Sequence, residues 1–232
     1  MEVIRSAEGG MMKHYMALVN GLIQKGFEVT AVCDFSENQV QGLKKMGAQV
    51  IRFPISDNIN IINGLSKAFK LSTIIKNNNI DIVHCHGFKA GAVGRLGAFF
   101  AKCPSIYTIH NFVPEKQSGK LRLVSKIEQI LFPVTKNIIV VSRALKKHLV
   151  HDIKLSPNKI SVIYNGVEPI KASDNSIRKK HGIREDTIVV VTVARLIPSK
   201  GIDFLLDAIP IVVSNYPNTK FIIIGDGPDK EK

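Results

Sequence analysis

Two basic side chains, Arg195 and Lys200, stand five residues apart between an apolar run and a helical pattern. In a strand-to-helix connection of this kind, both cations point into the crevice at the carboxyl end of the strand, beside a helix N-terminus. Arginine offers a fork of donors and lysine a compact charge, and together they suit a diphosphate. The alternative is a pair of solvated surface cations, but the pattern favours the anion site.

Three histidines fall near the ends of apolar runs. His84 and His86 alternate along one run, so they share a face of the predicted strand and could bind a metal ion. Because the sequence offers no convincing third and fourth ligand, the pattern is more typical of polar residues at a strand's carboxyl end. His110 ends the predicted fifth strand, at the sheet edge where ligands bind, so either a functional or a structural role is open to it.

Glycines mark two further connections. Gly9 and Gly10 lie between the first strand and the first helix, where backbone N–H groups can approach a phosphate or carboxylate. The segment is neither a dinucleotide fingerprint nor a P-loop, and it could equally be an ordinary connection. Gly225 opens a turn after the last apolar run and, taken alone, indicates only a turn.

The elements that must position these residues alternate between short apolar runs and amphipathic stretches. Seven strands alternating with helices predict an α/β fold with a doubly wound, Rossmann-like parallel sheet. The predicted strands are Val3–Ile4, Phe27–Cys33, Gln49–Phe53, Asp81–His84, Ser105–Ile109, Asn137–Val141 and Ile160–Ile163. The predicted helices are Met11–Lys25, Glu37–Met46, Ile59–Lys76, Ala90–Lys102, Lys120–Phe132 and one that Ser142 caps and that runs to Val150.

The pattern changes near residue 170. Turn-forming residues at 164–169 stop the alternation, and a polar stretch follows. We therefore expect one domain over residues 1–170 and a second over 171–232. The second has a helix, a strand, a helix and a strand, predicted at Ser176–His181, Thr187–Ala194, Asp203–Val213 and Lys220–Ile224. One βαβ unit has too little surface to bury for independent stability, so we expect this second domain to be truncated.

Composition narrows the functional classes. Of the 232 residues, 45% are hydrophobic and 22% charged, which excludes a disordered chain. The net charge of +13, most of it in the first 170 residues, favours anionic partners, but no nucleic-acid recognition motif is present. The three cysteines are read as reduced thiols, and neither a membrane-spanning run nor a secretory signal is found. We expect a cytoplasmic protein that contacts the inner membrane face peripherally.

In their order along the chain, these segments resemble the family-4 retaining glycosyltransferases of the GT-B fold. The resemblance covers essentially the whole chain. The matching segments are Gly9–Gly10, Asp81–Gly87, Thr108–Asn111, Val141–Arg143, Val162–Val167, Ala194–Leu196 with Lys200–Gly201, and Gly225–Pro228.

The resemblance implies two Rossmann-like domains, the C-terminal one binding a nucleotide-sugar donor. Arg195 and Lys200 would then hold the donor diphosphate and stabilise the negative charge that develops as the sugar leaves. Gly225 would line the nucleotide pocket. It also implies that fixed cations replace a metal, so we expect no metal ligands and no cofactor.

The N-terminal domain would bind the acceptor, a saccharide or a lipid-linked saccharide. By the same resemblance, His110 would lie near the transferred sugar, Gly9 and Gly10 would approach the phosphate or acceptor, and Asn165 would belong to the interdomain turn. An anionic or membrane-bound acceptor suits this domain's basic charge. Its candidate contacts, which could also be solvated surface, are Lys116, Lys120, Arg122, Lys126, Arg143, Lys146 and Lys147.

The expected function is transfer of a hexosyl unit from a nucleotide sugar to that acceptor, with retention. The family carries a paired-glutamate motif further along the C-terminal domain, and this chain ends before that motif could occur. The alternative is therefore a catalytically inactive acceptor-binding module or the remnant of a truncated gene.

Overall fold

The computed structural model describes residues 1–7, 9–55, 61–111, 120–167, 169 and 177–231. Their contacts divide the chain into two compact units, Met1–Val167 and Glu168–Lys232. Each unit has its own parallel sheet.

Unit 1 is built on a seven-stranded parallel sheet in the order β3-β2-β1-β4-β5-β6-β7. Strands β1 and β4 are neighbours although β2 and β3 lie between them in the chain. The sheet therefore reverses its direction of growth at β1 and β4, which makes their carboxyl ends the topological switch point. The strands are β1 (Glu2–Ile4), β2 (Thr30–Cys33), β3 (Gln49–Arg52), β4 (Val83–His86), β5 (Ser105–Ile109), β6 (Asn137–Val140) and β7 (Ile160–Val162).

Helices connect these strands, as parallel pairing requires. They are α1 (Gly9–Gln24), α2 (Glu37–Met46), α3 (Ile61–Asn77), α4 (Phe88–Ala101), α5 (Lys120–Leu131) and α6 (Arg143–His151). Side-chain hydrogen bonds cap the N-termini of two of these helices. Ser36 forms a capping box with Gln39 before α2, and the Ser142 hydroxyl accepts a hydrogen bond from the backbone N–H of Leu145 at the start of α6. A 3₁₀ turn at Pro157–Lys159 precedes β7.

Buried side chains form two core clusters in unit 1. The larger runs from Val3 through Leu71, Val83 and Val140 to Ile160. The smaller surrounds Tyr15. Strands buried on both faces read as continuous apolar runs, which explains why these segments are recognisable in the sequence.

Unit 2 contains α7 (Ile177–Lys180), β8 (Ile188–Val193), α8 (Ile202–Asn215) and β9 (Thr219–Ile224). Its two strands pair in parallel from Ile188 with Thr219 to Val193 with Ile224. Among its described residues only Ile183 is a buried hydrophobic residue. This unit is thus a single βαβ layer with little core.

The α/β class and the Rossmann-like parallel sheet are confirmed, and β5 and α2 have the predicted bounds. Most other predicted bounds differ from the observed ones by one to three residues, and two of these differences concern candidate site residues. Strand β4 covers Val83–His86 instead of Asp81–His84, because a turn with Asn79 at a φ of 48° delays its start and the two histidines are buried within it. Gly9 and Gly10 begin helix α1 instead of lying in a loop before it.

Candidate functional site

A pocket in unit 1 opens at the carboxyl ends of β1, β4 and β5, which is the switch point of the sheet. It encloses about 250 Å³, just under the roughly 300–1,000 Å³ typical of small-molecule sites, so it suits one sugar-sized group. Polar and charged side chains among its lining residues are Arg5, His86, Lys89, His110, Asn111 and Glu128. The pocket therefore includes His110 and one of the two alternating histidines.

Beneath this pocket lies Glu2, a carboxylate that is only 5% exposed. Its Oε2 accepts a hydrogen bond from Nε2 of His86 at 2.7 Å, and its Oε1 lies 3.2 Å from Nδ1 of His84. Burial alone would raise the pKa of the Glu2 carboxyl, but the charges and hydrogen bonds of the two histidines outweigh it and hold the pKa at about 2. Glu2 is therefore an ionised, acceptor-only group at neutral pH.

An ionised Glu2 dictates the tautomers of both histidines. His84 must carry its proton on Nδ1 when neutral, which leaves Nε2 to accept from the hydroxyl of Thr108 at 2.8 Å. His86 must carry its proton on Nε2, which leaves Nδ1 as a lone pair that faces Nε2 of His110 at 3.4 Å. A chain of polar contacts thus runs from Glu2 through His86 to His110.

Three imidazoles meet at the end of this chain. The ring of His14, on α1, lies with its centroid 5.0 Å from that of His110 and 6.2 Å from that of His86. Desolvation, reinforced by the other histidines, lowers the pKa of His110 to about 3, and burial lowers that of His86 to about 4 although Glu2 opposes the shift. The pKa of His14 is also lowered, chiefly by burial. All three rings are therefore neutral at pH 7.

Two groups of side chains could hold a metal ion. The ligand atoms of His14, His86 and His110 all lie within 4.8 Å of one another, and so do those of Glu2, His84 and His86. The sequence offers no third ligand for His84 and His86, but strand pairing supplies Glu2, since Glu2 stands opposite His84 in the β1–β4 register.

A buried ion pair lies beside the pocket, whose lining includes one of its members, Glu128. Arg95 of α4 donates to both carboxylate oxygens of Glu128 of α5, at 2.8 and 2.9 Å. The guanidinium also lies 4.1 Å from the centroid of the Tyr107 ring. Both charged side chains are buried, so this bidentate pair holds α5 against α4 beside the site.

Two of the six polar lining residues named above, Arg5 and Lys89, are cations. Burial and the charge of Arg5 lower the pKa of the Lys89 ammonium, which shows that the two cations are close enough to repel each other. Both belong to the pocket lining.

The glycines at the start of α1 leave open space. A Cβ at either Gly9 or Gly10 would meet nothing within 4 Å, and Gly9 has a φ of 60°, which favours glycine. Both residues are exposed. Backbone N–H groups in this first turn are therefore accessible to a ligand.

In unit 2, Arg195 follows β8 and Lys200 ends a 3₁₀ turn just before α8. Both are exposed. Within the described part of the chain, neither side chain has a hydrogen-bond or ion-pair partner, so two cations stand at the carboxyl end of β8 with their charges uncompensated.

Gly225 has a packing role. A Cβ there would lie 1.9 Å from the carbonyl oxygen of Ala194, and one at Gly227 would lie 2.2 Å from that of Leu196. The N–H of Leu196 donates to the carbonyl of Asp226 at 2.9 Å. The turns after β8 and β9 thus pack backbone against backbone, which only glycine permits.

The remaining candidates that the structure describes are not among the residues that line the pocket. Asn165 is exposed near the end of unit 1. Lys146 is tied to the carbonyl of Ile160 at 2.6 Å, whereas Lys126, Arg143 and Lys147 are exposed. Lys116 and the side chains of residues 120 and 122 fall outside the described part. None of the helices that the structure describes has the length and apolar character that crossing a bilayer demands.

Sequence reasoning missed Glu2, Arg5, His14 and Lys89 as site residues. Glu2 begins the three-residue strand β1 and Arg5 follows it, and their only signal is that β1 proves to be one of the two strands at the switch point. His14 sits on the first helix, four residues after Gly10, on the helical face that leads back to the sheet. Its meeting with His110 depends on tertiary packing.

Each of the two units matches a known protein family. Residues 8–171 match the family model Glycosyltransferase Family 4, and residues 173–232 match Glycosyl transferases group 1. The chain is 31% identical over 180 residues to UDP-Gal:alpha-D-GlcNAc-diphosphoundecaprenol alpha-1,3-galactosyltransferase of Escherichia coli, covering 73% of this chain and 46% of that protein. It is 29% identical over 231 residues to one component of the human phosphatidylinositol N-acetylglucosaminyltransferase, covering 96% and 46%.

Solved structures agree in fold. Anabaena HepE in complex with UDP and glucose superimposes with a TM-score of 0.77 at 20% identity, over 97% of this chain and 60% of that one. The lipopolysaccharide outer core galactosyltransferase WaaB in its apo form gives a TM-score of 0.63 at 15% identity, over 100% and 62%. The chain spans about half the length of the two curated relatives described above.

Proposed function

Because the chain belongs to glycosyltransferase family 4, with the GT-B fold, we propose that it transfers a hexosyl unit from a nucleotide sugar to a saccharide or lipid-linked acceptor. In this reaction the bond from the anomeric carbon to the diphosphate breaks and a bond to an acceptor hydroxyl oxygen forms. The hydroxyl proton leaves with the diphosphate. Retention of anomeric configuration is part of the proposal and rests on the family resemblance.

The observation that carries the proposal is the pair of uncompensated cations at the carboxyl end of β8. Arg195 and Lys200 are exposed, and their charges have no partner among the described residues. Developing negative charge on a departing diphosphate is what such fixed cations stabilise most. We infer a uridine diphosphate sugar as donor, since the E. coli relative is named for UDP-Gal and HepE binds UDP.

The two fixed cations also affect whether the transfer requires a metal ion. Arg195 and Lys200 together supply the charge that a divalent ion would otherwise supply to the diphosphate. The proposed transfer therefore needs no metal. Gly225 supports the donor site indirectly, by letting the turn after β9 pack on the Arg195 turn.

Unit 1 is the proposed acceptor side. Its pocket presents His110 as an uncharged imidazole, which suits a group that contacts the transferred sugar without adding charge. Gly9 and Gly10 offer accessible N–H groups at a helix N-terminus, and Asn165 lies in the segment that follows β7. These roles stay proposals.

The acceptor class follows from charge. Arg5 and Lys89 bring positively charged side chains to the lining of the pocket, which suits an acceptor that carries a phosphate. The E. coli relative is named for a diphosphoundecaprenol acceptor and the human one for phosphatidylinositol. We therefore propose a lipid-linked phosphate acceptor, reached by peripheral contact with the cytoplasmic membrane face through Lys126, Arg143 and Lys147.

A transfer assay tests this function. UDP-hexoses labelled in the sugar are incubated with lipid phosphates and lipid-linked saccharides in the presence of EDTA, and the anomeric configuration of any product is determined by NMR. We expect transfer with retention that EDTA leaves intact. Inversion would contradict the retaining mechanism. Acceptor binding with no transfer to any acceptor would favour a non-catalytic acceptor-binding module.

A further inference from the structure

The imidazoles of His14, His86 and His110 lie close enough together to bind one metal ion. They come from three different elements, α1, β4 and the residue after β5, so the fold brings them together over long stretches of chain. Nδ1 of His86 and Nε2 of His110 lie 3.4 Å apart. Two nitrogens bound to one tetrahedral zinc ion at about 2.0–2.1 Å would be about 3.3 Å apart. His14 is half-buried on a helix surface, and its ligand nitrogen lies within 4.8 Å of the other two.

Glu2 supplies the second requirement, an orienting partner behind the ligand. Its carboxylate accepts from Nε2 of His86, so the lone pair on Nδ1 points towards His110. This carboxylate–histidine arrangement recurs behind ligating histidines, where it sets the tautomer and increases the basicity of the ligand.

We propose that His14, His86 and His110 form a binding site for a divalent ion of the zinc type, with Glu2 holding His86 in the ligating orientation. Imidazole ligands suit Zn²⁺, Co²⁺ and related ions, whereas Mg²⁺ and Ca²⁺ prefer oxygen. Three protein ligands would leave a fourth position open to another ligand, and two of the three, His86 and His110, also line the pocket.

Such an ion has a consequence for the reaction. It would occupy the His110 nitrogen that faces His86, so an ion bound here opposes the binding of a sugar in the pocket. This consequence rests on the proposed function, but binding of the ion does not. The proposed metal site belongs to unit 1, whereas Arg195 and Lys200, which would balance the charge of the donor diphosphate, belong to unit 2.

Direct titration tests the site. Co²⁺ is titrated into the full chain and followed by the visible absorption bands of tetrahedral cobalt, and Zn²⁺ is then added to displace it. We expect one ion per chain, bound without the near-ultraviolet band of thiolate ligation. Glu2→Gln lowers the affinity by about 10–100-fold. His14→Ala, which removes a ligand, lowers it by at least about 100-fold.

Matched variants exclude the alternatives. His151→Ala removes an exposed histidine outside the cluster and leaves the affinity unchanged. Retention of the cobalt bands by His14→Ala overturns the proposal, since an ion held by Glu2, His84 and His86 does not need His14. Absence of stoichiometric binding by the unmodified chain also overturns it. His14 is only half-buried on the surface of α1, so we expect His14→Ala to fold. The proposal can therefore be tested with His14→Ala even if Glu2→Gln does not fold.

Discussion

At the scale of single residues, the candidate site is organised by one buried carboxylate. Glu2 lies more than 80 positions from His84 and His86, yet it accepts from one histidine and lies 3.2 Å from the other. By accepting from Nε2 of His86, Glu2 also determines that Nδ1 of His86 faces His110. A single side chain in the first strand thus fixes the orientation of the His84 and His86 rings.

The depressed pKa of His110 predicts a pH dependence of stability. In the folded chain His110 stays neutral down to about pH 3, whereas in the unfolded chain it binds a proton near pH 6.5. The unfolded state therefore gains a proton first, and the free energy of unfolding falls as pH drops from about 6.5 towards 3. His110→Asn should reduce this slope by up to about 1.4 kcal/mol per pH unit.

The measurement is urea unfolding at a series of pH values with EDTA present. The matched control, His151→Asn, removes an exposed histidine and should keep the slope of the unmodified chain. A slope that His110→Asn leaves unchanged would show that His110 is not held neutral by its surroundings.

At the scale of elements, helix α4 lies close to the sheet because it presents glycines to it. A Cβ at Gly94 would lie 2.3 Å from Sγ of Cys85, and one at Gly91 would lie 2.4 Å from the Tyr107 ring. The helix therefore packs at a distance that no larger residue allows. This contact places Lys89 and Arg95, which α4 carries, beside the pocket.

Gly94→Ala should destabilise the chain by about 1–3 kcal/mol through overpacking. Gly21→Ala is the matched control, because a Cβ at Gly21 in α1 meets nothing within 4 Å. There the loss of backbone freedom in the unfolded state should stabilise by about 0.5–1 kcal/mol. Chemical denaturation measures both, and equal effects of the two changes would contradict the close packing of α4.

The Arg95–Glu128 pair joins α4 to α5 and yields a second element-scale prediction. Glu128→Gln leaves a buried guanidinium without its counter-charge and should cost about 3–5 kcal/mol. The double variant Arg95→Met/Glu128→Leu removes both charges and should recover most of that loss. Thermal unfolding compares them. A single variant as stable as the unmodified chain would show that the pair is not buried.

The predicted and observed bounds of the strands and helices show which features the sequence can predict. Strand β5 and helix α2 have their predicted bounds, because apolar runs and a Ser–Gln capping box are local signals. The predicted position of β4 is wrong by two residues, since His84 and His86 look like edge residues until Glu2 pairs with them. The cation pair at 195 and 200 is visible in sequence, whereas the convergence of His14 on His110 depends on contacts between distant segments.

At the scale of the whole molecule, stability is concentrated in unit 1. Its seven strands enclose two cores, whereas the described part of unit 2 buries only Ile183 among its hydrophobic residues. A domain of this size can fold alone. A chain limited to residues 1–167 should therefore unfold cooperatively, within a few degrees of the main transition of the full chain. Scanning calorimetry measures this, and a fragment without a cooperative transition would contradict a self-sufficient unit 1.

The central claim for the molecule is that unit 2 binds the diphosphate of a nucleotide sugar. Calorimetric titration of UDP into the full chain, compared with Arg195→Ala and Lys200→Ala, tests it most directly. Each loss of a charged hydrogen bond costs about 1.5–3 kcal/mol, so each variant should bind UDP at least about tenfold more weakly. The control Lys179→Ala, an exposed cation of α7, should bind as the unmodified chain does. UDP affinity that survives both Arg195→Ala and Lys200→Ala would contradict the account.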